Sequence, residues 1–97
     1  MNAQQELLHN LKVLNTAVKC SKIKFYNFTI VLKINYSYTE FHSFLKELDF
    51  EYEAKSSNQK LFGTVWMEDG SWFERQEYGG FECWVHCTFP EIPKDCM

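Results

Sequence analysis

The chain lacks any run of eighteen apolar residues, so no segment reads as a helix that crosses a membrane. It also lacks the basic start and apolar block of a signal peptide, because MNAQQELLHNLKVLN is polar with scattered leucines. A soluble, cytoplasmic protein is therefore expected. In that reducing setting the four cysteines, Cys20, Cys83, Cys87 and Cys96, read as free thiols rather than as two disulfides. Proline is scarce, two residues in all, while 45% of the chain is hydrophobic and 18% aromatic. That balance excludes disorder and supports one small domain over residues 1–97.

Glycine is scarce too, and all four glycines fall between Leu61 and Phe89, together with all three tryptophans. Residues 61–89 read as three short strands of an antiparallel meander, rich in the aromatic and β-branched types that suit a pleated surface. Asp69-Gly70 suits a two-residue type I′ turn, and Gly79-Gly80 offers the same positive-φ freedom. With two-residue loops, counting sets Met67 opposite Trp72, Val65 opposite Glu74, Gln76 opposite Cys83 and Arg75 opposite Trp84. The expected core face then carries Leu61, Gly63, Val65, Met67, Trp72, Glu74, Gln76, Tyr78, Phe81, Cys83, Val85 and Cys87. The expected outward face carries Phe62, Thr64, Trp66, Phe73, Arg75, Glu77, Glu82, Trp84 and His86.

Upstream, an N-terminal amphipathic helix is expected within residues 1–20, with Leu7, Leu11, Leu14 and Val18 forming its apolar stripe. Such a helix either docks on the sheet or serves as a dimerisation or partner helix through residues 4–18. From 22 to 36 the pattern turns to strand: Phe28, Ile30, Leu32, Ile34 and Tyr36 alternate with Thr29, Val31, Lys33 and Asn35. Lys22 to Tyr26 either continue that strand or pair with it as a hairpin around Asn27-Phe28. Ser37 and Glu40 form a capping box opening a second helix, 37–48, whose stripe is Phe41, Phe44, Leu45 and Leu48. Residues 49–60 are polar, with Ser56-Ser57-Asn58 as the expected loop, and the tail 90–97 wraps or frays. The fold class is α+β: helix, strand or hairpin, helix, meander.

None of the candidate chemistry forms a catalytic signature. Cys83 and Cys87 project to one side of a strand and His86 to the other, and no second CxxC or HxxxH completes a tetrahedral metal site. His9, His42 and His86 fall in three different elements, with no glycine-rich loop beside any cysteine. Glu74 on a core face is odd, and reads as a carboxylate bonded to Gln76 or to a tyrosine hydroxyl, or as a register error. No catalytic, metal or cofactor residue is therefore expected. What remains is Trp66, Phe73, Arg75, Glu77, Glu82, Trp84 and His86, an outward set of aromatics and charge of the kind that binds protein partners. Within it Arg75 stacks on Trp84, and Glu77 opposes Glu82. Burial beneath the first helix is the competing reading.

Charge is unevenly spread. Residues 1–35 hold five lysines and one glutamate, whereas residues 36–97 hold twelve acids against five bases. The acidic sheet argues against nucleic acid as a direct ligand.

Residues 61–93 resemble the C-terminal hairpins of small uncharacterised proteins encoded by bacteriophages and prophages. The matching positions are Gly63, Thr64, Val65, Trp66, Asp69, Gly70, Trp72, Glu74, Arg75, Tyr78, Gly80, Trp84, Pro90, Ile92 and Pro93, and the preceding KELDFEYE also fits. The chain departs from the pattern at Gly79, where Asp-Gly is usual, and at Cys83, where a second tryptophan is common. The resemblance carries no activity with it. It implies a phage accessory product in the host cytoplasm, of a kind that binds and inhibits a host or bacterial-defence protein, as anti-restriction and anti-CRISPR inhibitors do. A self-associating scaffold protein is the alternative.

Overall fold

A computed structural model describes residues 1–55, 58–90 and 92–97. It is α+β, with α1 (Ala3–Leu11), β1 (Val18–Phe25), β2 (Phe28–Leu32), α2 (Tyr38–Glu47), β3 (Leu61–Met67), β4 (Trp72–Tyr78) and β5 (Phe81–Cys87). A single 3-10 turn, Lys94–Cys96, follows. The strands form one antiparallel sheet in the order β2-β1-β3-β4-β5. The expected three-stranded meander is thus the second half of a five-stranded sheet. No helix among the described residues is long and apolar enough to cross a membrane.

The 22–36 region is a hairpin, and its turn is Tyr26-Asn27 rather than Asn27-Phe28, because Phe25 pairs with Phe28. That turn places Tyr26 at a φ of 53°, a conformation that costs a side-chain-bearing residue roughly 1–2 kcal/mol. The strand also stops early: Ile30 and Leu32 point into the core, while Ile34 is exposed and Asn35 turns the chain at a φ of 61°. The first helix is shorter than its stripe suggests. Asn2 caps its start by accepting from the Gln5 amide at 3.0 Å, and it ends after Leu11. Val18, the last residue of the supposed helical stripe, opens β1 and is buried there. The capping box of α2 is present in both directions, each bond 3.1 Å, and its stripe delivers Phe44 and Leu48 to the core.

The decisive difference lies between β3 and β4. Asp69-Gly70 is not a two-residue loop. Gly70 donates to the Met67 carbonyl (3.2 Å), Met67 donates to Ser71 (2.9 Å), and Gly70 takes a φ of 88°. These bonds make a three-residue turn, Glu68 to Gly70, of the kind that ends on a left-handed glycine. Asp69 holds it closed by accepting from the Ser71 amide (2.9 Å) and hydroxyl (2.5 Å). Thr64 therefore pairs with Glu74, Val65 with Phe73 and Trp66 with Trp72, one residue away from the counted register. The Gly79-Gly80 turn does have two residues, so the β4–β5 register follows the count, including Arg75 opposite Trp84. One extra loop residue thus turns β4 and β5 over together relative to β3.

Both helices contribute to the core on one side of the sheet. Leu61, Val65 and Met67 of β3 join Ile23, Ile30, Leu32, Phe73 and Trp84 there, beneath Ala3 and Leu7 of α1 and Phe44 of α2. The polar 49–60 segment supplies core as well. Ala3 donates to Phe50, Tyr52 to Met1 and Glu82 to Ala54, which draws Tyr52 and Ala54 inward. Of the expected Ser56-Ser57-Asn58 loop, the two serines lie outside the described residues.

Candidate interaction surface

The register shift decides where each expected binding residue lies. Phe73, Arg75, Glu82 and Trp84 are buried on the helix side of the sheet, so the outward face inferred by counting is corrected for these four. Glu77 and His86 are on that same side but exposed at its margin, with His86 against the Phe73 ring at 4.9 Å. Trp66 alone of the seven points to the opposite face, where it is exposed. The seven do not form one surface.

Two of them, Arg75 and Glu82, instead form a buried ionic cluster with Glu6 and Tyr52, and Trp84 stacks on it. The Arg75 guanidinium donates to Glu82 Oε1 from Nε (3.0 Å) and Nη2 (2.9 Å), to Glu6 Oε2 from Nη1 (2.9 Å), and to the Tyr52 hydroxyl. Tyr52 in turn donates to Glu6. Glu82 also accepts from the Lys60 and Leu61 amides at 2.6 and 3.0 Å, tying β5 to the start of β3 beneath β4. Above the guanidinium lies the Trp84 ring, 5.2 Å away. Burial lowers the Arg75 pKa, but the Glu6 hydrogen bond and charge, with Tyr52 and Glu82, outweigh it and leave the group more basic than usual. Burial and the bond to Glu6 push the Tyr52 phenol well above its ordinary range, against the opposing charge of Arg75. The charged tips and the Tyr52 hydroxyl are committed to one another, so the cluster clamps α1, the 49–60 segment and β5 together. The lone arginine and the lone acid of the first 35 residues form one of these pairs, a signal that sequence reading could have used.

Among the described residues, no helix covers the other face of the sheet. Across all five strands runs a row Val31, Lys22, Thr64, Glu74, Val85. Beside it lie Cys20, Trp66, Trp72 and Cys87 on one flank and Thr29, Lys24 and Phe62 on the other. Tyr78 and Phe81 face each other at the β4–β5 end, where Lys55 sits 5.5 Å from the Phe81 ring. Phe62 is 50% exposed, Trp66 43%, Tyr78 59% and Phe81 48%. Glu74, expected in the core, lies on this face and accepts from Trp72 Nε1 (2.9 Å) and Gln76 Nε2 (3.1 Å), as the bonded-carboxylate reading requires. Phe89 of the tail packs edge-on to Trp72 at 5.1 Å. Cys83 and Cys87, expected in the core, are half-buried here. Burial and then Glu74 raise the Cys87 thiol above its usual pKa. The face is aromatic and of mixed charge, lysines in β1 and Glu74 in β4, rather than uniformly acidic.

No protein-family model, no curated protein and no solved structure matches the chain.

Proposed function

We propose that the protein works without chemistry, as a phage-type accessory protein that docks on a host or bacterial-defence protein and blocks it. One observation carries the reading: a five-stranded sheet shielded on one side presents Val31, Phe62, Trp66, Tyr78 and Phe81 on the other. An aromatic surface of this extent is uncommon on a protein that works alone, and aromatic side chains dominate binding energy where proteins meet. The lysines of β1 and the carboxylate of β4 give it charge of both signs, which orients a partner. The buried carboxylates, by contrast, are held by Arg75 and serve the fold.

The test is co-purification of tagged protein from host cells, wild type against a Phe62→Ala, Trp66→Ala double variant. Both side chains are half in solvent, so the variant is expected to fold, to lose its specific partner and to lose its biological effect. Retention of both by the folded variant would overturn the reading. So would an oligonucleotide that binds this face with a steep salt dependence.

The alternative, self-association through residues 4–18, loses its strongest residue, since Leu7 is 1% exposed and belongs to the protein's own core. Leu8 and Val13 remain accessible for it. Light scattering on the wild type and a Leu8→Asp variant separates the two readings, because only a helix-mediated oligomer dissociates.

A further inference from the structure

Away from the open face, at the sheet edge formed by the β1–β2 hairpin, lies a cavity of about 380 Å³ lined by Phe25, Phe28, Thr29, Ile30, Glu47 and Phe50. Its size falls within the range that holds small molecules. Three of its six lining residues are phenylalanines. Phe25 and Phe28 oppose each other at the hairpin end. Phe25 and Phe50 are in ring contact, their centroids 4.3 Å apart. Ile30 is buried at one wall, whereas Phe28 is 70% exposed, an apolar ring held beside an open mouth.

Among the described residues, the only charged one lining it is Glu47, the last residue of α2. A carboxylate at that end of a helix opposes the macrodipole, whose negative pole lies there. Helix pole and carboxylate therefore add, and a lining of phenylalanine rings accepts a cation where an aliphatic lining would not. No lysine or arginine among the described residues lines the cavity. Glu47 is exposed at the rim, so a neutral apolar ligand would gain nothing from its carboxylate, and an anion would be repelled by it. A cation with an apolar skin satisfies all the walls at once.

We propose that this cavity binds a quaternary or methylated ammonium group, with Phe25, Phe28 and Phe50 around the methyl groups and Glu47 as counter-charge. The inference is independent of the docking role of the open sheet face.

The experiment uses the whole chain and two soluble probes of the same shape, choline and its uncharged carbon isostere 3,3-dimethylbutan-1-ol, titrated while amide chemical shifts are followed. Choline is expected to saturate shifts confined to residues 25–30 and 47–50, and the isostere to bind about tenfold more weakly, the difference a cation–aromatic contact with a counter-charge supports. Glu47→Gln and Phe28→Ala change exposed side chains and should keep the amide spectrum of the fold while weakening choline by a similar factor. A trimethyllysine peptide in a third arm tells whether the group arrives on a partner chain or as a free small molecule. Equal binding of choline and the isostere, no choline binding at about 10 mM, or shifts centred elsewhere would overturn the proposal.

Discussion

Replacing Arg75 with methionine tests the ionic cluster directly. The change keeps an unbranched side chain of similar reach but removes the donors to Glu6, Glu82 and Tyr52. Two carboxylates are then left without their cation, one with 10% and the other with 2% of its side chain in solvent. Breaking a buried pair in this way costs about 3–5 kcal/mol, because the orphaned charge keeps its desolvation penalty and loses its attraction. Two amides still donate to Glu82, so part of that charge remains solvated by the backbone and the lower end of the range is expected. Against the roughly 5–15 kcal/mol typical of a folded domain, the loss is a large fraction. It corresponds to a fall of at least about 12 °C in the unfolding midpoint of a domain this size. Urea unfolding at pH 7, followed by tryptophan fluorescence, measures it. The triple variant Arg75→Met, Glu6→Gln, Glu82→Gln should recover at least half, since no buried charge is left unpaired. If the single variant loses less than about 1 kcal/mol, or the triple is no better than the single, the cluster is not the clamp argued above.

Three further outcomes can be read in the same unfolding assay. Tyr52 has a folded pKa raised above its unfolded value, so its contribution is fully present below about pH 10 and is lost as pH rises further, at up to about 1.4 kcal/mol per pH unit. The stability advantage of wild type over Tyr52→Phe should thus be constant to about pH 9.5 and shrink toward pH 11; a constant difference refutes it. Trp84 Nε1 is buried with no hydrogen-bond partner, so Trp84→Phe, which deletes that donor, should cost less than about 1.5 kcal/mol, against about 3–5 for Trp84→Ala. Gly63→Ala would place a Cβ 2.3 Å from the Lys22 carbonyl oxygen and 2.8 Å from Ile23 Cα at a φ of 145°, and a loss above about 2 kcal/mol is expected.

Local signals in the sequence carried through where local physics decides. The Ser37–Glu40 capping box, the apolar stripe of α2 and the tight Gly79-Gly80 turn depend on residues within a few positions of each other, and all three are present. The end of α1 was not legible. Leu7, Leu11, Leu14 and Val18 keep helical spacing, but Val18 is taken by pairing with Met67, nearly fifty residues away. The core role of Tyr52 was equally hidden, because its surroundings in sequence are acidic while its surroundings in space are Glu6 and Arg75.

The site turned on the length of a single loop. In a strand the side-chain period is two, so one residue more or less in a hairpin exchanges inside for outside along everything that follows. Asp-Gly is compatible with both the two-residue and the three-residue turn, and composition did not separate them: one choice buries Glu74 and Gln76, the other Arg75 and Glu82. Satisfiability does separate them. A buried Glu82 finds Arg75 on the adjacent strand and two backbone amides, and Arg75 finds Glu6 on α1. A buried Glu74 would have faced Val65 and Val85, and its polar neighbours on that face of β4, Trp72, Gln76 and Tyr78, carry no charge to pair with it. The arrangement that pairs every buried charge is the one adopted. It turns Trp72 and Glu74 out to join Trp66 on the open face of the sheet, and so relocates the candidate contact surface from the aromatic-acidic set to the side the helices leave bare.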